Sequence, residues 1–569
     1  MAKGRAPEVV TLSPPQLEEL LAKLAGLLPA EVYQLVEKSL RTLHWVLGVI
    51  EAKETSLSRL QRLIFGAKTE KTQQLFPPLP ASSQTTATAA PPKRKGHGRT
   101  AAAGYTGAKR VRVKHPQRRP GAACPGCKRG KLYALKQLGQ LVRITAQPLF
   151  AATRFELEKL RCNLCGQLFT APTPKEAGLS KYDPQVGPML GYLRFGTGVP
   201  HYRLDRMQLD LGVRLPASTQ WELMAQTGPA LEPAHEALIT LAAQGKVIHN
   251  DDTPMRVQSL AQAAGRAAEK PERTGIFTTG LISQVADHTI ARFVTGLRHA
   301  GENLDQLLAR RAANASPPIQ MCDALSRNPS KEFQSLLANC LSHGRRPFVD
   351  MAQNFPQECQ HVLERLGEVY QHEAQAKKAG LAPEARLQFH QERSQKTMAE
   401  LHQWMTQRLE QTLVEPNSGL GQAFGYTLKH WTPLTLFLRQ AGAPLDNNLC
   451  ERALKMAILH RKNSLSYKTQ NGARLGDLFM SLIHTCRLCA ANPLDYLNAL
   501  QRHAKEAREH PTRWLPWNYG CTGIFRGILM GWNGAGVSLP AGRRELGRKA
   551  RRPARFSSRG HAFGFTKQG

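Results

Sequence analysis

Three carboxylates stand at the edges of candidate secondary-structure elements, where folding could bring them together. Asp251 ends the strand-like run KVIHND, Asp323 ends IQMCD, and Glu451 lies in the helix-like run NLCERALKMAILHRKN. Such a trio could hold divalent cations, because Mg²⁺ is a hard ion that binds a few carboxylates and leaves positions open for substrate oxygens. Two such ions about 3.5–4 Å apart clamp the attacking and leaving oxygens of a phosphodiester displacement. Asp252 follows Asp251, and successive residues of a strand face opposite ways, so only one of the pair can join the site. Asp446 is placed to cap the helix of Glu451. Asn447, Glu451 and Lys455, four residues apart, share a face of it. Arg452, Arg461 and Lys462 crowd the same segment, a setting that suits a phosphate. The ordinary alternative is three surface or capping acids.

Two C-x-x-C pairs form the second constellation, Cys124–Cys127 and Cys162–Cys165, with strand-like sequence between them. Four thiolates make a closed tetrahedral site for structural zinc, whose role is folding and docking rather than catalysis. The gap between the pairs exceeds the commonest zinc spacing. A redox pair is the alternative, although one pair would suffice for that. Cys486 and Cys489 have no partner pair and read as helix-core cysteines.

Residues 16–65 look helical, and Leu40, Leu43, Leu47, Ile50, Leu57 and Ile64 follow a coiled-coil spacing. This is either a dimerisation helix or an amphipathic helix packed on its own domain. Residues 77–121 are rich in Pro, Ser, Thr and Ala with basic residues throughout, a linker able to track phosphates. In residues 201–222 one helix breaks at Gly212 and a second starts after Ser218, a helix-turn-helix pattern that any helical hairpin shares. KVIHND, GIFTTGLIS, HTIARFVTG and PPIQMCD read as strands. Residues 300–313, 355–413 and 447–459 read as helices, and the tail from about residue 520 as a basic disordered segment.

A chain of 569 residues exceeds a single core. Lys and Arg number 77 against 43 Asp and Glu, a net charge of +34, which points to a polyanionic partner, nucleic acid. No apolar run approaches the roughly 20 residues that span a bilayer, and the N-terminus, MAKGRAPEVV, lacks the apolar stretch of a secretory signal. A cytoplasmic location with reduced thiols is therefore expected.

The block DNNLCERALKMAILHRKNSLSYKTQNGARLGDLFMSLIHTCRLCAANPLDYL (446–497) resembles the signature end of transposases of the insertion sequence 66 family. LIFGAKTEK (63–71), the paired C-x-x-C knuckles, HNDDTP (249–254), MCDALSRN (321–328), CLSHGRRPF (340–348) and VEPNSGLGQAFGYTLKHW (414–431) resemble it too, in the family's order. The resemblance implies an α/β, ribonuclease-H-like catalytic core: a mixed sheet of about five strands with helices on both faces. It implies an Asp–Asp–Glu triad that falls on Asp251, Asp323 and Glu451 and works with Mg²⁺ or Mn²⁺. It further implies a zinc ribbon (Cys124, Cys127, Cys162, Cys165) and helical DNA-binding modules upstream, and a helical insertion before the glutamate. His343, Arg345 and Arg346 match a C-x-x-H-x-R-R segment, and adjacent arginines suit phosphates. Ser466 stands where an aromatic is expected, a weakness behind the glutamate helix, and the tail has no family counterpart.

The organisation expected is a helical segment over 1–76, the linker over 77–121, the zinc ribbon over 122–172 and the helical DNA-binding region over 173–243. The catalytic core follows over 244–480, its insertion at about 335–440, then a helical segment over 481–519 and the tail over 520–569. The expected function is metal-dependent DNA strand cleavage and strand transfer at insertion-sequence ends. The partners are DNA, further copies of the chain and small accessory proteins, with no membrane. A non-catalytic DNA-binding remnant or repressor, and a structure-specific nuclease of the same fold, are the rival readings.

Overall fold

A computed structural model describes residues 14–29, 32–41, 117–134 and 149–519, except 126, 128, 162, 164, 166, 179 and 267–272. Two compact units emerge, Met1–Arg94 with Thr145–Tyr519, and Lys95–Ile144 with Gly520–Gly569. At the start of the first, α1 (Pro14–Ala25) and a helical stretch over 32–41 replace the one continuous helix expected. The break contains Gly26 and Pro29, and Arg41 folds back to pair with Glu18 at 2.7 Å. The coiled-coil seam beyond residue 41, most of the linker and the tail lie outside the described residues.

Strands β1 (Lys159–Arg161) and β2 (Leu168–Thr170) form a small antiparallel hairpin. The central sheet has five strands: β3 (Val247–Pro254), β4 (Phe277–Val285), β5 (His288–Gly296), β6 (Ile319–Cys322) and β7 (Leu336–Asn339). Their order is β5-β4-β3-β6-β7. The first three form an antiparallel meander, and β6 and β7 run parallel to β3. The meander is legible in its β-branched and aromatic runs. β7 is four residues of LLAN with no alternation, and the sequence reading passed it over.

Ahead of the sheet come α2 (Val186–Gly191), α3 (His201–Asp210) and α4 (Ala217–Ala242). α3 does end before Gly212, whose φ of 75° is a left-handed conformation that glycine adopts without strain. α5 (Gln258–Arg266) and α6 (Ala300–Leu308) flank β4 and β5 in the chain. After β7 come α7 (Leu341–Met351), α8 (Pro356–Ala379), α9 (Pro383–Arg393), α10 (Gln395–Glu410), α11 (Gly419–Lys429) and α12 (Trp431–Leu434). The long polar helical run is thus divided, first at Gly380, whose φ is 63°. These helices share a core with the sheet in which Ile319, Met321 and Ala338 meet Phe348, Leu363 and Phe424.

α13 (Asn448–Ser464) carries Glu451, and α14 (Gln470–Leu488) then crosses the outer edge of β5. An open edge is a template for pairing with other chains. Here α14 occupies it. Asp477, Ser481 and Thr485, four residues apart on one helix face, accept the N–H groups of Thr295, Phe293 and Ala291 at 2.7, 2.9 and 3.0 Å. Ser481→Ala would leave the Phe293 N–H buried and unpaired, a cost of about 1–3 kcal/mol. It is expected to lower the urea midpoint of unfolding.

Candidate active site

Parallel pairing sets the first two carboxylates side by side. His249 of β3 pairs with Met321 of β6, so two residues further along Asp251 comes abreast of Asp323, on strands about 4.8 Å apart. On the other flank Asp251 pairs with Gly280 of β4. A Cβ there would stand 3.1–3.2 Å from Leu454 and Cys450 of α13, so the bare glycine lets the helix lie close. α13 runs along the face of β3 that holds His249, Asp251 and Thr253. Asn447, just before the helix, bonds His249 (3.1 Å), and Arg461 near its end bonds Thr253 (3.1 Å). Glu451 therefore lies above Asp251.

The structure separates the two adjacent aspartates. Asp252 faces away, its side chain only 2% exposed, with His299 at 3.1 Å and Arg327 at 3.3 Å. Arg327 offers it a counter-charge. The Asp251 carboxylate makes no ion pair among the described residues and accepts only the Asp252 N–H, at 2.8 Å. Burial, then the charges of Asp323, Asp252 and Glu451, push the Asp251 carboxyl up to about 7. Clustered carboxylates without a cation are a high-energy arrangement that a bound metal ion relieves. The hard oxygen donors fit Mg²⁺ or Mn²⁺. Asp323 opens onto a cavity of about 280 Å³ that His343, Arg346 and Tyr426 also line. His343 Nδ1 lies 3.7 Å from Glu451, and Cys340, His343 and Glu451 have donor atoms mutually within 4.8 Å.

Asn447 is a hub the sequence reading missed. It is fully buried, and its side-chain N–H donates to the Asn250 carbonyl at 3.1 Å. Its backbone N–H donates to Cys340 Sγ at 3.2 Å. Asn447 is also the N-cap residue of α13; the Asp446 carboxylate, expected as the cap, accepts the Asn448 N–H at 3.1 Å. Asn447 thus ties β3, the start of α7 and the glutamate helix together, rather than sharing an open face with Glu451. Asn447→Ala is expected to weaken divalent-cation binding at the carboxylates by about 10–100-fold, the usual cost of losing an outer-shell support, read by titrating Mg²⁺ against thermal unfolding.

The expected weakness at Ser466 is not found. Ser466 accepts a hydrogen bond from Gln258 at 2.9 Å, and the neighbouring Tyr467 is buried and stacks on His460 of α13 at 4.3 Å. That ring supplies the packing one residue later.

Around the first cysteine pair, the Cys124 N–H donates to the Gly130 carbonyl (2.7 Å) and the Gly130 N–H to Cys127 Sγ (3.4 Å). Amides of Gly130 and Arg129, with Cys124, hold the Cys127 thiol below its usual value. A turn that aims amides at sulfur favours a thiolate. Cys165 is exposed in the β1–β2 connection, and Cys162 lies outside the described residues. Cys486 is buried in α14 and Cys489 half-buried at its end. Among the described residues no helix is long and apolar enough to cross a membrane.

Residues 181–475 match the model of a family described as "Transposase IS66 family". Three proteins of Sinorhizobium fredii (strain NBRC 101917 / NGR234) are similar. Uncharacterized protein y4hP is 24% identical over 521 residues, 83% of this chain and 89% of its own length. Uncharacterized protein y4jD is 27% identical over 346 residues, 57% of this chain and 64% of its own. Uncharacterized protein y4qI is 24% identical over 348 residues, 58% and 62% respectively.

Proposed function

The chain belongs to the IS66 transposase family, and from that premise we propose that it is a catalytic transposase that cuts DNA and joins strands at insertion-sequence ends. The observation that carries this reading is the convergence of Asp251, Asp323 and Glu451, with Asp251 held up to about 7 among uncompensated carboxylates. The strand order β5-β4-β3-β6-β7, with Asp251 and Asp323 just beyond the last pair of the β3–β6 parallel ladder, supports a ribonuclease-H-like core. Asp251, Asp323 and Glu451 would hold Mg²⁺ or Mn²⁺. When bound, such ions activate the attacking oxygen and stabilise the leaving one.

The other residues around the site bind and orient. Arg346, on the cavity wall with Asp323, offers a planar fork to a phosphate. Asp252, matched to His299 and Arg327, keeps β3 in place rather than taking metal. Cys124 and Cys127 would be ligands of a structural zinc, for which the amide-lined turn at Cys127 is the support. α3 and α4 would bear on DNA with the basic linker, and a multimer would hold two ends at once.

The test is cleavage and joining of labelled element-end DNA by the full chain in Mg²⁺, beside Asp323→Asn and Glu451→Gln. Wild type is expected to nick and join, and both variants to bind without cutting. Variants that cut like wild type would sink the site assignment. A wild type that binds but never cuts, with accessory proteins supplied, would be a DNA-binding remnant.

A further inference from the structure

A second cavity, of about 810 Å³, lies away from the carboxylates. It opens between the π-helical turn Tyr192–Gly196, the start of α4 and the chain that leaves α13. Ligand pockets run to about 300–1,000 Å³. Aromatic rings line it, among them Tyr202, Trp221 and Tyr467, and no Asp or Glu does. Arg194 and Lys468 also line it. The Arg194 guanidinium is largely buried, rests over the Phe195 ring at 5.5 Å, and has no ion pair among the described residues. A desolvated cation without a counter-charge is costly, and an anionic ligand would offset that cost.

His201 adds a directional group. Gln220 donates to two carbonyls, those of His201 (3.1 Å) and Leu215 (2.7 Å), so its side-chain oxygen must accept the proton of His201 Nδ1 at 3.0 Å. Burial, then the charge of Arg194, pulls His201 down to about 4, and the ring is neutral. His201 Nε2 is then a bare acceptor, buried without a partner. The cavity asks for a flat ring that stacks and a phosphate, and the neutral His201 adds no charge to its wall.

We propose that this cavity receives one unstacked nucleotide of the DNA the chain acts on: its base against Tyr202 and Trp221, and its phosphate on Arg194 and Lys468. The assignment rests on the chain being a DNA-processing protein. Asn463, on the cavity wall, stands twelve residues beyond Glu451 on α13, about 18 Å along the axis. The extruded nucleotide therefore belongs roughly five nucleotides from the scissile phosphate, at about 3.4 Å per nucleotide. Extrusion costs unstacking energy, which aromatic stacking in the pocket repays.

The experiment compares binding of the full chain to a duplex with one bulged thymine and to its fully paired parent. Wild type is expected to prefer the bulge by about fivefold or more, the factor that roughly 1 kcal/mol of base–aromatic stacking represents. Trp221→Ala, Arg194→Gln and the exposed Lys468→Ala should each bring the ratio of the two affinities close to one. With 4-thiothymine in the bulge, ultraviolet light should cross-link the DNA to the peptide holding Tyr202 or Trp221. Equal binding of both duplexes by wild type, or a cross-link elsewhere with the preference intact in all three variants, would overturn the assignment. A chain that cuts end DNA without the preference refutes only the cavity's role. One that shows the preference yet never cuts retains the cavity and loses the catalytic reading.

Discussion

Asp251→Asn is expected to abolish Mg²⁺-dependent strand cleavage and, in the metal-free protein, to raise stability. The two effects share one cause. Burial and the charges of Asp323, Asp252 and Glu451 hold the Asp251 carboxyl at about 7 in the folded chain, against about 3.9 unfolded. The folded value is the higher one, so the stability associated with holding that proton is fully present below about pH 4 and is lost as pH rises through about 7. At pH 8 the ionised carboxylate penalises the fold by up to about 4 kcal/mol, three units at about 1.36 kcal/mol each. Asparagine keeps the shape and the acceptor oxygen for the Asp252 N–H without the charge. Urea unfolding with Mg²⁺ omitted should show a gain for the variant that is largest at pH 8 and fades toward pH 4. Adding Mg²⁺ should stabilise wild type, since a ion that binds only the folded state shifts the equilibrium toward it, and should do less for the variant. A loss of stability at pH 8 would mean that the carboxylates are not in electrostatic conflict.

Glu373→Ala is expected to produce the largest loss of stability, centred on the helices between β7 and α13. Glu373 on α8 is buried, and Arg386 (2.8 Å) and His390 (3.0 Å) of α9 converge on one of its oxygens, with Lys377 at 3.0 Å from the other. Burial alone would raise this carboxyl. The hydrogen bond from His390 and the charge of Arg386 outweigh it and bring it down to about 2. Removing one partner of a buried charge cluster costs about 3–5 kcal/mol, here because Arg386 and His390 stay largely buried without the carboxylate, while Lys377 is exposed. Since the folded value lies below the unfolded one, the contribution is present above about pH 4.5 and is lost as pH falls through about 2. The variant's deficit in thermal unfolding should accordingly be full at pH 7 and shrink in acid. A deficit that does not change with pH would assign the effect to packing instead.

The sequence by itself determined the basic character and most of the element types. Runs such as KVIHND and HTIARFVTG carry strand character in their own residues, and the break at Gly212 needs only a local left-handed turn. The family was legible because several segments match in order. What period-two alternation leaves open is which face of a strand meets which helix. Asp251 and Asp252 are equivalent in the sequence; α13 packs on one face of β3, while His299 and Arg327 engage Asp252 on the other. Asn447 is one more polar residue near a helix start until folding joins it to His249, Asn250 and Cys340. Asp477, Ser481 and Thr485 read as ordinary helix residues until the edge of β5 lies beneath them. The cavity beside Arg194 has walls from segments more than 250 residues apart. Each of these was decided by tertiary packing, because the contacts are long-range: local propensity chooses an element and its period, and only burial against other elements chooses the partner.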